Sequence, residues 1–258
     1  VGNGGGRTML PIAFIARALE VGYEWDGTTS TVSFFGYTKT FESKGTFGPD
    51  NGSQTIEGNV IVKADGVVLQ NLIIKGNLII SEEVGTGDVK LNNIEVIGDT
   101  FVRGGGKDSI HINGGQYANV TIENVEGQVR IVATGVDGLQ VVISEDAAGE
   151  EIILEGDFEK VLVDAEGVEI TTQGNTSIDE IVVGENGTNS TINLGSNTVV
   201  GKMVLDSQTE VKGTGTVKEA EVNADGVTFD KAPEKQTGTT VGQVQTPTPV
   251  RSGGRRSG

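Results

Sequence analysis

The 258-residue chain contains no cysteine, which excludes disulfides, thiolate metal sites and cysteine nucleophiles. It has one histidine, His111. A histidine-rich metal centre and a His-dependent catalytic triad therefore lack their material. Proline is scarce, with five residues and none between Pro49 and Pro233. Basic side chains are outnumbered: 19 Lys+Arg against 36 Asp+Glu give a net charge of −17. So acidic a surface repels phosphate backbones, so no nucleic-acid partner is expected. The longest aliphatic runs, such as Val67-Val68-Leu69 and Leu72-Ile73-Ile74, are too short to span a bilayer. No membrane insertion is expected and no signal-peptide pattern is visible. The chain begins at Val1 rather than Met, which reads as a processed form or a fragment.

What is abundant is glycine, 40 residues, about twice the usual share. The aromatics are clustered: Phe14, Tyr23, Trp25, Phe34, Phe35, Tyr37, Phe41 and Phe47 all precede residue 48. The composition changes after Pro49 to Val, Ile, Gly, Asn and Thr, and again after Pro233 to a polar tail. These shifts divide the chain into residues 1–44, 45–231 and 232–258.

In the first segment, Pro11 suits a first helical turn and Ile12, Ile15, Ala16 and Leu19 recur at helical spacing. Tyr23-Glu24-Trp25 then alternates as a strand. Asp26-Gly27 marks a turn and Thr31-Val32-Ser33-Phe34 the returning strand. The run Gly6-Arg7-Thr8, Pro11, Trp25-Asp26 and Thr29-Ser30-Thr31-Val32 resembles the copper amine oxidase N-terminal-like domain, over residues 6–34. The resemblance implies a small α+β head common on exported bacterial proteins. It implies no copper chemistry, because the segment has no His or Cys. The strands that usually precede Gly-Arg-Thr are missing, which makes the head incomplete.

The second segment carries a weak repeat. Leu69-Gln70-Asn71, Leu91-Asn92-Asn93 and Ile112-Asn113-Gly114 follow one another at 22 and 21 residues. Gly76-Asn77-Leu78-Ile79-Ile80 and Gly98-Asp99-Thr100-Phe101-Val102 are also 22 apart. A third phrase recurs as Val62–Val67, Val163–Val168 and Val222–Val227. Apolar residues alternate in bursts such as Val60/Val62, Val120/Ile122, Val129/Ile131 and Ile181/Val183. A period near 21 with short strands points to a solenoid. The leucine-rich-repeat signature is absent, so the expected fold is mainly β: a right-handed parallel β-helix with a small N-terminal α+β domain. Roughly eight rungs would make a rod about 40 Å long. Scarce proline agrees, since proline removes a ladder donor. The expected strand phase puts Ile79 inside and Lys90 outside.

This segment resembles β-helical regions of bacterial proteins that carry S-layer homology domains, on Gly45–Pro49, Gly76–Ile80, Val102–Gly106 and Ser109–Asn113. The resemblance implies an extracellular, cell-surface structural role. It carries over no activity, and the S-layer homology domains themselves are absent.

Many β-helices cleave polysaccharides, so that chemistry was sought. The hydrolase strings Asp-Asp, Gly-His-Gly and Arg-x-Lys do not occur. A lyase needs an Arg or Lys base beside a calcium-binding carboxylate cluster; Arg103, Lys107, Asp108 and His111 come nearest. Ile110-His111-Ile112 reads more simply as an outward His between two core Ile. Phe101 and Asp108 break a phosphate-loop reading around Gly106-Lys107. Acidic groups at Glu82/Glu83/Asp88, Glu145/Asp146, Glu150/Glu151 and Asp164/Glu166 match no calcium motif. The expectation is no enzyme and no cofactor, with calcium left open. Tyr117 is the candidate for an exposed carbohydrate contact.

The tail supplies the assembly expectation. Val241-Gly242-Gln243-Val244-Gln245 alternates as a strand before Thr246-Pro247-Thr248-Pro249. Donated to the head of a second copy, it would join subunits head to tail, through Val241, Val244, Val250, Arg251 and Arg255. The expected function is an extracellular structural protein of the bacterial surface, S-layer-associated or filament-forming. A module binding cell-wall or environmental polysaccharide is the first alternative, and a degenerate carbohydrate-active enzyme the second.

Overall fold

The computed structural model describes residues 22–26, 31–123 and 127–245, with side chains from residue 36 onward. The helix expected around Ile12–Leu19 lies outside them. The hairpin is present: Gly22–Asp26 pairs antiparallel with Thr31–Phe35, Trp25 opposite Val32.

The remainder is a parallel β-solenoid. Each strand pairs in parallel with its counterpart one coil on, from Thr38–Phe41 to Gln243–Val244. The expected boundaries of 45 and 231 are therefore corrected at both ends. Thr38–Phe41 pairs with Asn59–Val62, inside the supposed head. Lys235–Gly238 pairs with Thr216–Val222, and Gln243 and Val244 with Thr228 and Phe229, inside the supposed tail. Both additions escape pattern reading because a terminal coil buries only one edge. Lys235-Gln236-Thr237-Gly238 has no apolar residue at all.

The repeats set the register. Leu91 lies between Leu69 and Ile112, and Thr100 beside Leu78. Coils of about 21 residues shorten at the far end: Val211 pairs with Phe229, and Phe229 with Val244, steps of 18 and 15. Corners stack as well as strands. Asn71 and Asn93 both adopt φ of 53°, and Gly114 and Gly135 repeat that left-handed turn at 67° and 63°. Asn tolerates this backbone better than other side chains. Each amide also finds a partner, with Asn93 Nδ2 donating to Asn71 Oδ1 and Asn71 Nδ2 to Pro49 O, both at 2.9 Å.

The Gly-Asn pair before the first-face strands has a second cause. Asn59 Oδ1 accepts from Asn77 N at 2.8 Å, and Asn77 Oδ1 from Asp99 N at 3.0 Å. This brings Gly76 so close that a Cβ there would sit 2.3 Å from Asn59 Oδ1. Gly98 meets the same limit against Asn77.

The core is two inward columns on this face and matching ones on the next. One runs Val60, Leu78, Thr100, Val120, Val141, Val161, Ile181, Met203 and Ala220, all almost fully buried. Burying each large aliphatic side chain contributes roughly 2 kcal/mol, and the columns repeat it coil after coil. Both ends of this column are polar. Lys39 occupies the inward register position beside Val60, its Nζ 5.8 Å from the Phe41 ring centre. Gln236 occupies it beside Ala220. An inward charge on an edge strand discourages another sheet from adding there.

The strand phase needs one correction. Leu78 and Ile80 are fully buried, while Ile79 between them points outward and is half-buried. Lys90 is outward, as expected.

Candidate functional site

Several concave regions sit on the described surface. The first, about 500 Å³, is the N-terminal mouth of the solenoid, lined by Tyr37, Lys39, Phe41, Phe47, Ile56 and Leu72 among others. Phe41 and Phe47 rings lie 4.5 Å apart there. It opens at the first described coil of the stack.

The second, about 580 Å³, is a lateral cleft lined by Glu82, Arg103, Glu123 and Asp146. These residues follow the first-face strands Leu78–Ile80, Thr100–Val102, Val120–Ile122 and Gln140–Ile143, one from each coil. Short 3-10 turns at Glu82–Val84 and Glu145–Ala147 push Glu82 and Asp146 outward. Ser81 caps the first turn and its hydroxyl donates to Glu83 at 2.7 Å. That bond, then Lys63 at 3.3 Å, holds the Glu83 carboxyl below its usual range.

Arg103 is the one lyase candidate that the fold brings to carboxylates. Its Nε donates to Glu123 at 2.7 Å, and its guanidinium lies 5.6 Å from the Phe101 ring centre. A guanidinium so committed is a poor proton acceptor. Glu82 and Asp146 are solvent-exposed. Lys107, Asp108 and His111 do not line this cleft. His111 Nε2 lies 2.9 Å from Asp108 O. A carbonyl only accepts, so that nitrogen carries the proton. Its neighbours Ile110 and Ile112 are fully buried, as the sequence suggested. Ile110 holds φ of 64°, an unusual backbone for a β-branched residue that no sequence signal announced.

Asp65, Asp88 and Asp108 line a further shallow depression, where Asp65 Oδ1 accepts from Asp88 N at 2.7 Å. Among the described residues, no group of three His, Asp or Glu is placed to hold a metal ion.

Tyr117 is not the exposed platform that the sequence reading expected. Its ring packs against the core. Its hydroxyl is enclosed without a hydrogen-bond partner, and burial pushes its pKa well above the usual value. Pattern reading missed this because Tyr117 follows the strand His111–Gln116 and precedes Val120–Ile122, where no alternation assigns it a side.

The assembly residues divide. Val244 pairs with Phe229 of its own chain and is 48% exposed; Val241, in the preceding turn, is 79% exposed. Gln243 N and Gln245 N donate to Val227 O and Phe229 O at 2.9 and 2.8 Å. The donated strand of the sequence reading thus completes the chain's own last coil. Val250, Arg251 and Arg255 lie outside the described residues.

The outward side of the first face holds what the sequence reading overlooked. Beside the inward columns runs an outward column that is also apolar: Ile61, Ile79, Phe101, Val142, Leu162, Val182 and Val204, broken by Thr121. All are half-buried by their neighbours in the stack. Thr40 bounds the column at one end, and Glu221 and Thr237 at the other. Along one flank lies a polar column. Its first half is Thr38, Asn59, Asn77, Asp99, Asn119 and Gln140. Its second half alternates in sign: Lys160, Glu180, Lys202, Glu219, Lys235. Ion pairs join Lys160 to Glu180 at 3.0 Å, Lys202 to Glu221 at 2.8 Å and Lys235 to Glu219 at 3.0 Å. The bond from Glu221 raises the Lys202 pKa, and Lys202 in turn lowers that of Glu221.

No known protein family and no curated protein matches the chain. Among solved structures it is similar to the chitinase ChiW of Paenibacillus sp. str. FPU-7, a bacterial cell-surface-expressed multi-modular enzyme. The identity is 18% and the TM-score 0.36, over 78% of this chain and 13% of that one. The chain thus spans about an eighth of that enzyme. No helix among the described residues is long and apolar enough to cross a membrane.

Proposed function

We propose that the chain is a structural module of the bacterial cell surface, a stiff rod that spaces or displays neighbouring parts rather than an enzyme. The observation that carries the reading is the unbroken parallel ladder from Thr38 to Val244, each coil bonded to the next. Three further features support it. Arg103 is neutralised by Glu123, His111 is tied to a backbone carbonyl, and Tyr117 faces inward. The resemblances to exported bacterial modules in the sequence point the same way. An S-layer-associated place remains part of the proposal. Head-to-tail joining would need donors beyond residue 245, because Gln243 and Val244 are engaged.

The test pairs two assays on the purified protein. Incubation with chitin, peptidoglycan and polygalacturonate should release no product and show no saturable binding. Stretching single molecules between their ends should show stepwise coil-by-coil rupture. Product release, or saturable binding lost with the Arg103→Ala change, would overturn the reading.

A further inference from the structure

The outward apolar spine calls for a cover. Apolar patches rimmed by polar groups mark interaction surfaces, and this one extends over eight successive coils from Ile61 to Val204. We infer that the first face is a self-association surface, on which two copies pack sheet against sheet, antiparallel, about a two-fold axis lying along the strands. This goes beyond the structural reading and does not depend on it.

Charge identifies the occupant as a second copy. The protein carries −17 overall, which disfavours like partners in general. The flanking column is different, with Asp99, Glu180 and Glu219 balanced by Lys160, Lys202 and Lys235. The face that bears the apolar spine is thus the place where two copies meet without like-charge cost. An axis along the strands keeps left with left, so the spine meets the spine and the polar column meets itself reversed. Full overlap of the spine puts the axis between Thr121 and Val142. Phe101 then meets Leu162 of the second copy, and Lys160 meets Asp99. Glu180 and Lys202 fall opposite the amides of Asn77 and Asn59. Along the spine and this flanking column, no like charges are opposed. The neutral half of the column receives the charged half.

Area agrees with a modest dimer. Eight coils of strands three to four residues long give a face of roughly 38 by 13 Å, or roughly 500 Å² per partner. Standard interfaces bury about 800 Å² on each side. The two sheets would sit about 10 Å apart, as in a β-sandwich.

Sedimentation velocity of the full chain, up to about 100 µM, tests this in a range where a modest interface still associates. A monomer–dimer equilibrium is expected. Leu162→Glu should raise the dissociation constant at least tenfold, with an unchanged circular-dichroism melt because Leu162 points outward. Leu162→Thr, which mimics Thr121, should weaken it less and guards against misfolding of the first variant. Because the chain has no cysteine, single Cys replacements accept spin labels cleanly. Labels at Thr121→Cys should lie close across the dimer, while labels at Ile61→Cys should be separated by seven coils, roughly 34 Å. A monomer throughout, a dimer indifferent to Leu162→Glu, or short distances at both labels would overturn the proposal.

Discussion

The two halves of the polar column on the first face occupy the same structural slot with different chemistry. In the first half the Asn59 and Asn77 side chains accept from the backbone amides of Asn77 and Asp99 in the next coil, at 2.8 and 3.0 Å. From Lys160 to Lys235 they form ion pairs, Lys160 with Glu180 and Lys235 with Glu219 within the column and Lys202 with Glu221 beside it. The first arrangement fixes the backbone and demands glycine beside it. The second demands it less: Glu159, Asp179 and Lys218 stand where Gly58, Gly76 and Gly98 stand earlier, and only Gly201 before Lys202 keeps the glycine among these positions. A solenoid position thus needs only a partner above and below. What differs is how much stability hangs on it, since a side-chain bond to backbone contributes about 1 kcal/mol and an exposed ion pair often less.

Both halves rest on the inward columns, so the largest effect should come from there. Ile80→Asp would bury an unpaired charge between Val62 and Val102 and should cost about 3–5 kcal/mol, read by chemical denaturation. Ile79→Asp, one residue away on the outward side, should cost far less. Equal losses would mean that the strand phase is misassigned.

Gly76→Ala comes next. Its Cβ would meet Asn59 Oδ1 and Gly58 C, and the crowding should cost about 1–3 kcal/mol. Gly201→Ala offers a counterpart in the charged half, where the nearest atom is Asp179 O at 2.6 Å rather than an amide ladder. Asn77→Ala should then lose about 1 kcal/mol by removing one bond to the backbone of the next coil. Lys160→Ala should move the thermal midpoint by only about 1 °C. A larger effect of Lys160→Ala than of Asn77→Ala would reverse the ranking of the two halves.

Acidity separates the halves by direction. The Glu221 carboxyl is lowered by Lys202, so its contribution is present above the ordinary carboxylate range and is lost as pH falls through its folded value. Lys202 is raised by Glu221, so its contribution is lost as pH rises through its folded value. Protection of the Lys202–Leu205 amides, relative to their intrinsic exchange, should therefore fall in acid and in strong alkali. Protection around Asn77 should not respond to acid. Tyr117, also raised, stabilises the neutral phenol below about pH 10 and loses that contribution above it. Its phenolate absorbance should appear only as the protein unfolds.

The sequence made the fold class legible because register and period coincide: the Leu-x-Asn phrases pair coil on coil. It obscured the first face because three consecutive apolar residues, as in Val141-Val142-Ile143 or Ile181-Val182-Val183, carry no phase of their own. Such runs mark strands apolar on both sides. Reading only the alternating pair hid the middle residue, and with it the spine. The terminal coils were hidden for the converse reason. Polar Lys39 and Gln236 stand at inward positions, where a periodicity search expects aliphatics. Tyr117 shows a third limit, since no pattern separates an exposed ring from one packed on the core between two strands.

The central claim is a single continuous ladder that reaches through both halves and takes in the segment 235–245. Hydrogen exchange followed coil by coil tests it most directly. The account predicts slow exchange at Val60, Lys202 and Ala220 alike. It also predicts measurable protection at Gln243 and Gln245, whose amides donate to Val227 and Phe229. Free exchange at Gln243 and Gln245, or loss of protection throughout the second half, would contradict it.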